Sequence, residues 1–397
     1  MLRGTTYARF VIPVTVPRAS HPVNPRPRRP RPTPEKGPVH MRKGILSLAA
    51  VSAAAALTLT ACGDDSGEAS SESSKGKIGV ILPDTKSSVR YESFDRPYLE
   101  QAFKAAGVEY DIQNAEGDTQ RFQTIADQMI TNGVTVLVVD GIDSNSAAAV
   151  QRKAQQQGVK TIDYDRLTLG GVADYYVSFD NVKVGEELGK GLQKCLGDKD
   201  ADIVYLNGAA TDNNATLFAQ GAHSVLDKVS TYKKVAEQAV PNWDNQQAAT
   251  IFEQMWTQQN GKIDGVLAAN DGVGNAAISI LKKNGEAGKV PVTGQDATLE
   301  GLQNILDGNQ CMTVYKPVKQ EADAAAKLAV ALIKGEKAET NGTVNDPQGK
   351  RNVPSVLLTP IAVYKENVKQ VVDDGFVKKD DLCKGAYAAK CKDAGIQ

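Results

Sequence analysis

The stretch IDGVLAANDGVGNA, residues 263–276, decides the fold class of this chain. In its first seven residues (263–269) the apolar side chains are too closely spaced for a strand that buries only one face. This predicts a strand buried on both faces of a parallel sheet. Asn270 and Asp271 follow at the end of this strand, and a glycine-containing turn leads into a helix predicted from Asn275. Ligands of open parallel sheets bind beyond the carboxyl ends of the strands. The sequence therefore places Asn270 and Asp271 where a ligand would be contacted.

The same pattern of a buried strand ending in polar residues recurs along the chain. It occurs in KIGVILPD, VTVLVVDG, VKTIDYDR, DIVYLNGAATDNN and VPVTGQD, which begin near residues 77, 134, 159, 202 and 290. Helical periods separate these strands, and the alternation is repeated twice. This predicts an α/β protein of two Rossmann-like, doubly wound lobes, with several polar strand ends converging on one cleft.

The last part of the chain predicts how the two lobes are joined. After Lys316 come an alanine-rich helix over 320–334, a polar loop over 335–352 and a strand within 353–363. This extra helix and strand follow two lobes that are already complete. The economical placement is that the chain crosses back between the lobes, so we predict a hinge made of several chain crossings. The predicted lobes are 77–180 plus 318–356 and 181–317 plus 357–397.

The first 76 residues predict a leader rather than part of the folded body. Residues 1–40 are a Pro/Arg-rich run that cannot bury enough apolar surface to fold, and we predict that translation starts at Met41. Residues 41–61 have the charged and apolar regions of a signal peptide, and their LTAC ending resembles the lipobox of bacterial lipoproteins. Cys62 is then the diacylated residue, although a signal peptide with a chance cysteine is the alternative. The Gly/Ser/acidic segment 62–76 predicts a flexible tether to the outer face of the cell membrane.

Chain length and net charge limit the classes of function that are possible. A chain of 397 residues is too long for one small core, which favours two domains. Of its 46 basic and 47 acidic residues, ten and one lie before Cys62, so 36 and 46 remain in the mature chain. A net charge of about minus ten disfavours binding to the phosphates of a nucleic acid.

The cysteines predict disulfides. With Cys62 acylated, four remain, and outside the cytosol they can pair in three ways. We favour Cys383 with Cys391, which closes a short loop, and then Cys195 with Cys311. No metal site is predicted, because the mature chain has one histidine and no CxxC spacing, and no cofactor is predicted.

Two enzyme classes compete with a binding function. Gly272 to Ala277 form a GxGxxA sequence after a strand, with Asp296 about twenty residues later, which mimics a dinucleotide fingerprint. Against this, Asp271 would lie beside the pyrophosphate, and the leader would export the protein away from NAD. A glycosidase that uses two carboxylates is the second alternative. The nucleotide-binding GxxxxGK[ST] and hydrolase GxSxG signatures do not occur in the sequence.

Several motifs together resemble the periplasmic-type sugar-binding proteins of ABC importers. In chain order they are KIGVILPD, Arg90-Tyr91, TIDYDR, YVSFDN, DNNATLF, LAANDG, VTGQDA, TVYKPV and VPSVLLTPI. The resemblance covers Lys77 to about Phe376 and is greatest to the D-xylose-binding members. It implies a monomer with two Rossmann-like lobes joined by three crossings, which closes on one monosaccharide. It also implies partners on separate chains, a permease and its ATPase. Repressors with the same fold carry an amino-terminal DNA-binding motif, where this chain has a lipobox.

The resemblance also implies a set of sugar contacts. They are Arg90, Tyr91, Asp165, Arg166, Asp212, Asn214, Asn270, Asp296 and Lys316, with Trp243 as a stacking residue. The types suit a sugar, because carboxylates accept from hydroxyls, Arg and Lys donate, Asn does both, and aromatic rings cover C–H faces. The chain departs from the family at Tyr91, where Trp is frequent, and in a spacing to Asp95-Arg96 that is one residue longer.

Some of these residues have structural alternatives. Asp165 and Arg166 could pair only with each other, and Trp243 could be ordinary core packing. Asp140, at a strand end before a glycine, is more often a turn or cap residue, and we leave it out of the predicted site.

Overall fold

The computed structural model of the protein describes residues 76–396, in which strands and helices alternate. The strands are β1 Lys77–Leu82, β2 Glu109–Asn114, β3 Val134–Val139, β4 Lys160–Tyr164, β5 Tyr175–Phe179, β6 Ala201–Asn207, β7 Tyr232–Ala239, β8 Gly265–Ala268, β9 Thr313–Tyr315, β10 Gly342–Asp346, β11 Arg351–Leu358 and β12 Ile361–Val363. The predicted leader, signal peptide, Cys62 and nearly all of the tether lie outside the described residues.

The helices fill the intervals between the strands. They are α1 Arg96–Ala106, α2 Thr119–Thr131, α3 Ser144–Gln156, α4 Asn181–Leu196, α5 Asn213–Leu226, α6 Asn245–Gln258, α7 Asp271–Lys283, α8 Leu299–Asp307, α9 Val318–Ile333, α10 Lys369–Asp373, α11 Lys379–Leu382 and α12 Tyr387–Asp393. A short π-helix, Tyr91–Asp95, precedes α1, and 3-10 turns lie at Pro241–Trp243 and Lys365–Asn367. Within residues 76–396, no helix has the length and apolar character needed to cross a membrane.

The first sheet has seven strands in the order β10-β11-β5-β4-β3-β1-β2, and all neighbours are parallel except β10 and β11. Its central strands are apolar on both faces because both faces are covered. Val136 and Val138 of β3 belong to one core, with α1 and α9, whereas Leu137 and Val139 belong to another, with α2 and α3. This is the two-sided burial that the apolar runs predict.

The second sheet is built around β6, with β7 and β8 parallel on either side. Single bridges from Val266 to Val292 and from Gln295 to Val314 extend it toward β9, which pairs antiparallel with β12. The strand predicted at residues 263–269 is confirmed as β8, which is shorter than predicted. One large core cluster covers this sheet with α4, α5, α6 and α7.

The start of α7 differs from the sequence prediction. The helix begins at Asp271 rather than Asn275, because the Asn270 side chain caps it by accepting from the Val273 N–H at 2.9 Å. The glycines lie inside the first turns instead of forming a loop. A Cβ on Gly274 would approach the Thr293 carbonyl oxygen to 2.9 Å, so the glycine permits close packing of α7.

The chain passes between the two sheets three times. It leaves the first sheet between β5 and α4, returns between β9 and α9, and leaves again between β11 and β12. The predicted loop over 335–352 is wrong in part, because β10 lies within it and pairs with β11 through a turn where Lys350 has a φ of 50°. The run 353–363 holds parts of two strands in different sheets. The lobe boundaries given above stay a prediction.

Two disulfides tie parts of the second half together. Cys195 of α4 is bonded to Cys311, just before β9, with a Cα–Cα distance of 6.4 Å. Cys383 is bonded to Cys391 of α12, with a Cα–Cα distance of 5.7 Å. The structure therefore has the pairing that was favoured among the three.

Candidate functional site

One small cavity of about 30 Å³ lies between the facing ends of the two sheets. All ten residues of the predicted site line it, and each is at most 8% exposed. Four further residues line it that were not among the predicted contacts: Ser87, Ser88, Phe218 and Gln295, the last of which lies in the predicted strand end VPVTGQD. Gln295 precedes Asp296 directly, and the two serines follow the end of β1, so proximity to known strand ends is the signal that could have found them.

The strand ends explain why these side chains meet. Asp165 and Arg166 follow β4, Asn270 follows β8, and Lys316 follows β9. Parallel strands present their carboxyl ends at one edge of a sheet, so residues far apart in sequence are brought together. Asp212 is the N-cap of α5, after β6, where its Oδ1 accepts from the Asn214 N–H at 2.9 Å.

Arg90 is buried among three carboxylates. It donates from Nε and Nη2 to Asp95, at 2.9 and 2.7 Å, from Nη2 to Glu321 Oε2 at 2.6 Å, and from Nη1 to Asp165 Oδ1 at 3.2 Å. Asp95 also accepts from the Tyr164 hydroxyl at 2.5 Å. Burial raises the pKa of Glu321 to about 8, and Arg90 acts against this shift. Arg90 thus supports the cavity wall and has little donor capacity left for a ligand.

Asp165 is an ionised acceptor at the cavity. Burial acts to raise its pKa, but Arg90, Lys316 and Arg166 outweigh burial and lower the pKa to about 2. Its Oδ2 accepts from the Tyr91 hydroxyl at 2.9 Å, and Lys316 Nζ lies 4.0 Å from its Oδ1. The residue has a φ of 56°, in the left-handed region, which turns the chain sharply after β4.

Arg166 does not pair simply with its neighbour Asp165. Its Nε lies 3.2 Å from Asp212 Oδ2 and 3.7 Å from Asp140 Oδ1, and its Nη2 donates to the Tyr91 hydroxyl oxygen and to Ser87 Oγ, both at 3.1 Å. Asp140, left out of the predicted site, is thus a buried neighbour of a cavity residue. Burial raises its pKa well above the ordinary range of a carboxyl group.

Tyr91 is held by its hydroxyl and its ring. The guanidinium carbons of Arg90 and Arg166 each lie 5.5 Å from the ring centroid. Two cations therefore lie against the ring, which differs from the free stacking platform that the family's frequent Trp would suggest.

Trp243 combines packing with a place at the cavity. Its Nε1–H donates to Asp212 Oδ2 at 3.2 Å, and its ring meets Phe218 edge-on with centroids 6.5 Å apart. A Cβ at Gly208 would lie 2.0 Å from the indole ring, so only glycine leaves room for it. Burial raises the pKa of Asp212, and the indole donor acts against this shift.

Contacts across the cavity join the two halves of the site. Ser88 Oγ donates to Asp296 Oδ2 at 3.1 Å, and Asn214 Nδ2 donates to the Asp165 carbonyl oxygen at 3.0 Å. On one side of the cavity, Lys316 Nζ lies 3.3 Å from Asp296 Oδ1. The conformation is therefore a closed one, in which the two rims touch.

Comparison with known proteins agrees with this architecture. The model of the family described as "Periplasmic binding protein domain" matches residues 78–337. The chain belongs to the periplasmic binding protein family. It is 37% identical over 310 residues to the D-xylose-binding periplasmic protein of Escherichia coli, covering 77% of this chain and 92% of that protein. It is 33% identical to a multiple sugar-binding periplasmic receptor of Rhizobium radiobacter, covering 78% and 92%.

Solved structures of periplasmic binding proteins share the fold. An ABC transporter solute-binding protein from Clostridium phytofermentans, solved with bound β-D-glucose, has a TM-score of 0.71 and 28% identity and covers 77% of this chain and 99% of its own. A carbohydrate transporter solute-binding protein from Chloroflexus aurantiacus, in complex with D-glucose, has a TM-score of 0.71 and 29% identity, with coverages of 77% and 97%. These relatives are solute-binding proteins, and so is this chain. The dinucleotide and glycosidase alternatives are therefore set aside.

Proposed function

We propose that this periplasmic binding protein captures one free monosaccharide, D-xylose above all, and delivers it to the permease and ATPase of an ABC importer. The observation that carries the proposal is one cavity whose lining includes all ten predicted residues, buried acidic, basic, amide and aromatic side chains from both halves of the chain. Relatives named for D-xylose supply the choice of sugar. Two further similar proteins are named for the binding of multiple sugars and for carbohydrate transport.

The cavity offers polar atoms that make no hydrogen bond within residues 76–396. In this part of the chain Gln295 Oε1 is buried without a partner, whereas Arg166 Nε and Asp296 Oδ1 are buried with only ion-pair neighbours, the nearest being Asp212 at 3.2 Å and Lys316 at 3.3 Å. Leaving a buried polar atom unpaired costs about 1–3 kcal/mol. A sugar hydroxyl both donates and accepts, so it can satisfy the donor and both acceptors. An epimer with one hydroxyl misplaced leaves one of them unpaired, which explains how the wall would select one sugar.

Ligand entry requires the two halves to part. A cavity of about 30 Å³ holds about two waters, which is far less than a pentose needs. The contacts of Arg166 with Asp212 and of Ser88 with Asp296 would exchange for contacts with sugar hydroxyls. Because contacts from both rims exist together only in the closed form, the sugar favours closure by its differential affinity for that form.

The site of action follows from the predicted leader. Acylation of Cys62 would hold the folded body, as a monomer, at the outer face of the cell membrane through the tether of residues 62–76. This agrees with a family whose members work outside the cytoplasm.

A panel of free sugars tests the proposal. D-Xylose is expected to give the largest rise in melting temperature among D-xylose, D-glucose, D-ribose and L-arabinose, with a dissociation constant of about 1 μM, or about 8 kcal/mol, by calorimetry. A preference for D-glucose would keep a sugar-binding function but contradict the choice of xylose. No response to any monosaccharide would overturn the proposal.

Replacing Trp243 by phenylalanine tests one wall of the cavity. The variant keeps an aromatic ring but removes the Nε1–H donor to Asp212, so we expect D-xylose affinity to fall about 5–10-fold. Trp256→Phe on α6 is the matched control, because this tryptophan does not line the cavity. Calorimetry on both variants gives the comparison, and equal affinities would remove Trp243 from the site.

A further inference from the structure

Asp271 is a buried carboxylate that does not line the sugar cavity, although it follows Asn270 directly. Its Oδ2 accepts from the backbone N–H and the Oγ1 of Thr298, at 2.8 and 3.0 Å. Its Oδ1 accepts from Gln310 Nε2 and Thr313 Oγ1, both at 2.8 Å. Four donors converge on one side chain, a number far above what a helix-terminal residue needs.

These bonds enclose a strained part of the chain. Asp296 and Ala297 have φ values of 97° and 51°, in the region that residues other than glycine rarely adopt. Such residues cost about 1–3 kcal/mol each and persist only where the surroundings hold them. The Asp271 N–H donates to the carbonyl oxygen of Gln295, just before the pair, at 2.9 Å, and its carboxylate holds Thr298, just after it.

The neighbouring sequence leaves room for this carboxylate. A Cβ at Gly294 would lie 2.1 Å from Asp271 Oδ1, and a Cβ at Gly301 would lie 2.3 Å from Oδ2. Neither glycine has a positive φ, so backbone conformation does not require glycine at either place. Gly301 is explained by the space that the Asp271 side chain occupies, and Gly294 by the space that Asp271 and its donor Gln310 occupy together.

We propose that Asp271 is a positioning residue for ligand binding, whose backbone and carboxylate clamp both sides of Asp296 and hold its side chain toward the cavity. The inference rests on the proposed sugar-binding function. It gives the Asp of the LAANDG sequence a role, since Asn270 lines the cavity and Asp271 holds the neighbouring segment 295–298. The two adjacent residues thus connect the end of β8 to the segment that begins at Gln295, which bridges to Val314.

Asp271→Asn tests the clamp. An amide presents an N–H₂ group to donors that need an acceptor, so the loop should loosen and D-xylose affinity should fall about 10-fold. Hydrogen exchange of the amides of residues 295–298 should accelerate in the free protein. Leu226→Ala, in the core of the same half, is the control: it should lower the melting temperature without changing affinity or the exchange of 295–298.

A second pair of variants keeps the test decisive if Asp271→Asn does not fold. Thr298→Val removes the hydroxyl that donates to Asp271, whereas Thr298→Ser retains it. The valine variant should bind D-xylose less tightly, and the serine variant should bind like the wild type. Wild-type affinity together with unchanged exchange in Thr298→Val would overturn the clamp. If the wild type binds no monosaccharide, the proposed function fails, and the exchange rates still decide whether the clamp exists.

Discussion

Asp296→Asn is expected to weaken D-xylose binding about 50-fold and Asp296→Ala about 100-fold or more, because a charged acceptor for sugar hydroxyls is lost. The carboxylate is 7% exposed, and its Oδ1 is buried without a hydrogen-bond partner within the described residues. Its removal also takes from Lys316, which is 4% exposed, the acid 3.3 Å from its Nζ and leaves, among the described acids, only Asp165 at 4.0 Å. The poorer pairing of this buried ammonium group adds to the loss. Titration calorimetry measures both variants.

Asp296→Asn isolates the charge from the other effects of Asp296→Ala. Asparagine keeps a hydrogen-bonding side chain and tolerates positive φ better than alanine does, whereas alanine loses the hydrogen bonds and is strained at a φ of 97°. Asp200→Ala is the control, because Asp200 is an exposed acid in the same half, between α4 and β6. Circular dichroism should show all three variants folded. Wild-type affinity in Asp296→Asn would exclude this carboxylate from the ligand contacts.

The strand ends were the most predictable part of the site. A parallel sheet brings the ends of its strands to one edge, so the apolar runs before Asp212 and Asn270 sufficed to place these two residues at one edge of the second sheet, and the run before Asp165 placed that residue at an edge of the first. Trp243 and Arg90 lie in turns, not at strand ends. Periodicity carries no information about such positions, and only the resemblance to a known family indicated them.

The supporting residues could not be predicted, because burial of a charge is decided by its partners. Glu321 lies in the alanine-rich helix α9, where an acid is typical of a solvent-exposed face, yet it contacts Arg90 from 231 residues away. Asp271 was placed at the ligand because it follows a strand, whereas α7 begins there and turns its side chain into the protein. Pairing of β10 with β11 depends on a turn whose left-handed residue is Lys350 rather than glycine, so the polar composition suggested a loop.

Arg90→Met is expected to lower the free energy of unfolding by about 3–5 kcal/mol, because it leaves buried carboxylates without their cation. Arg90 is 2% exposed, and its partners Asp95 and Glu321 are fully buried. Methionine fills most of the volume of the arginine side chain but donates no hydrogen bond to these two acids or to Asp165, the third carboxylate around Arg90. Urea denaturation at pH 7 measures the difference. A loss below about 1 kcal/mol, the usual value of an exposed ion pair, would contradict a buried network around Arg90.

Arg96→Met and the pH dependence complete this test. Arg96 and Glu92 form an ion pair with side chains 27% and 37% exposed, so the same substitution there should cost about 1 kcal/mol or less.

In the wild type the pKa of Asp165 is lowered from 3.8 to about 2. Its contribution to stability is therefore present above pH 3.8 and is lost as the pH falls toward 2. Removing Arg90 takes away the largest effect that lowers the pKa of Asp165, so in Arg90→Met the acid takes up a proton at a higher pH than in the wild type. The deficit should therefore shrink as the pH falls below neutral, since protonation removes the unpaired charge, whereas a deficit caused by lost packing would not change with pH.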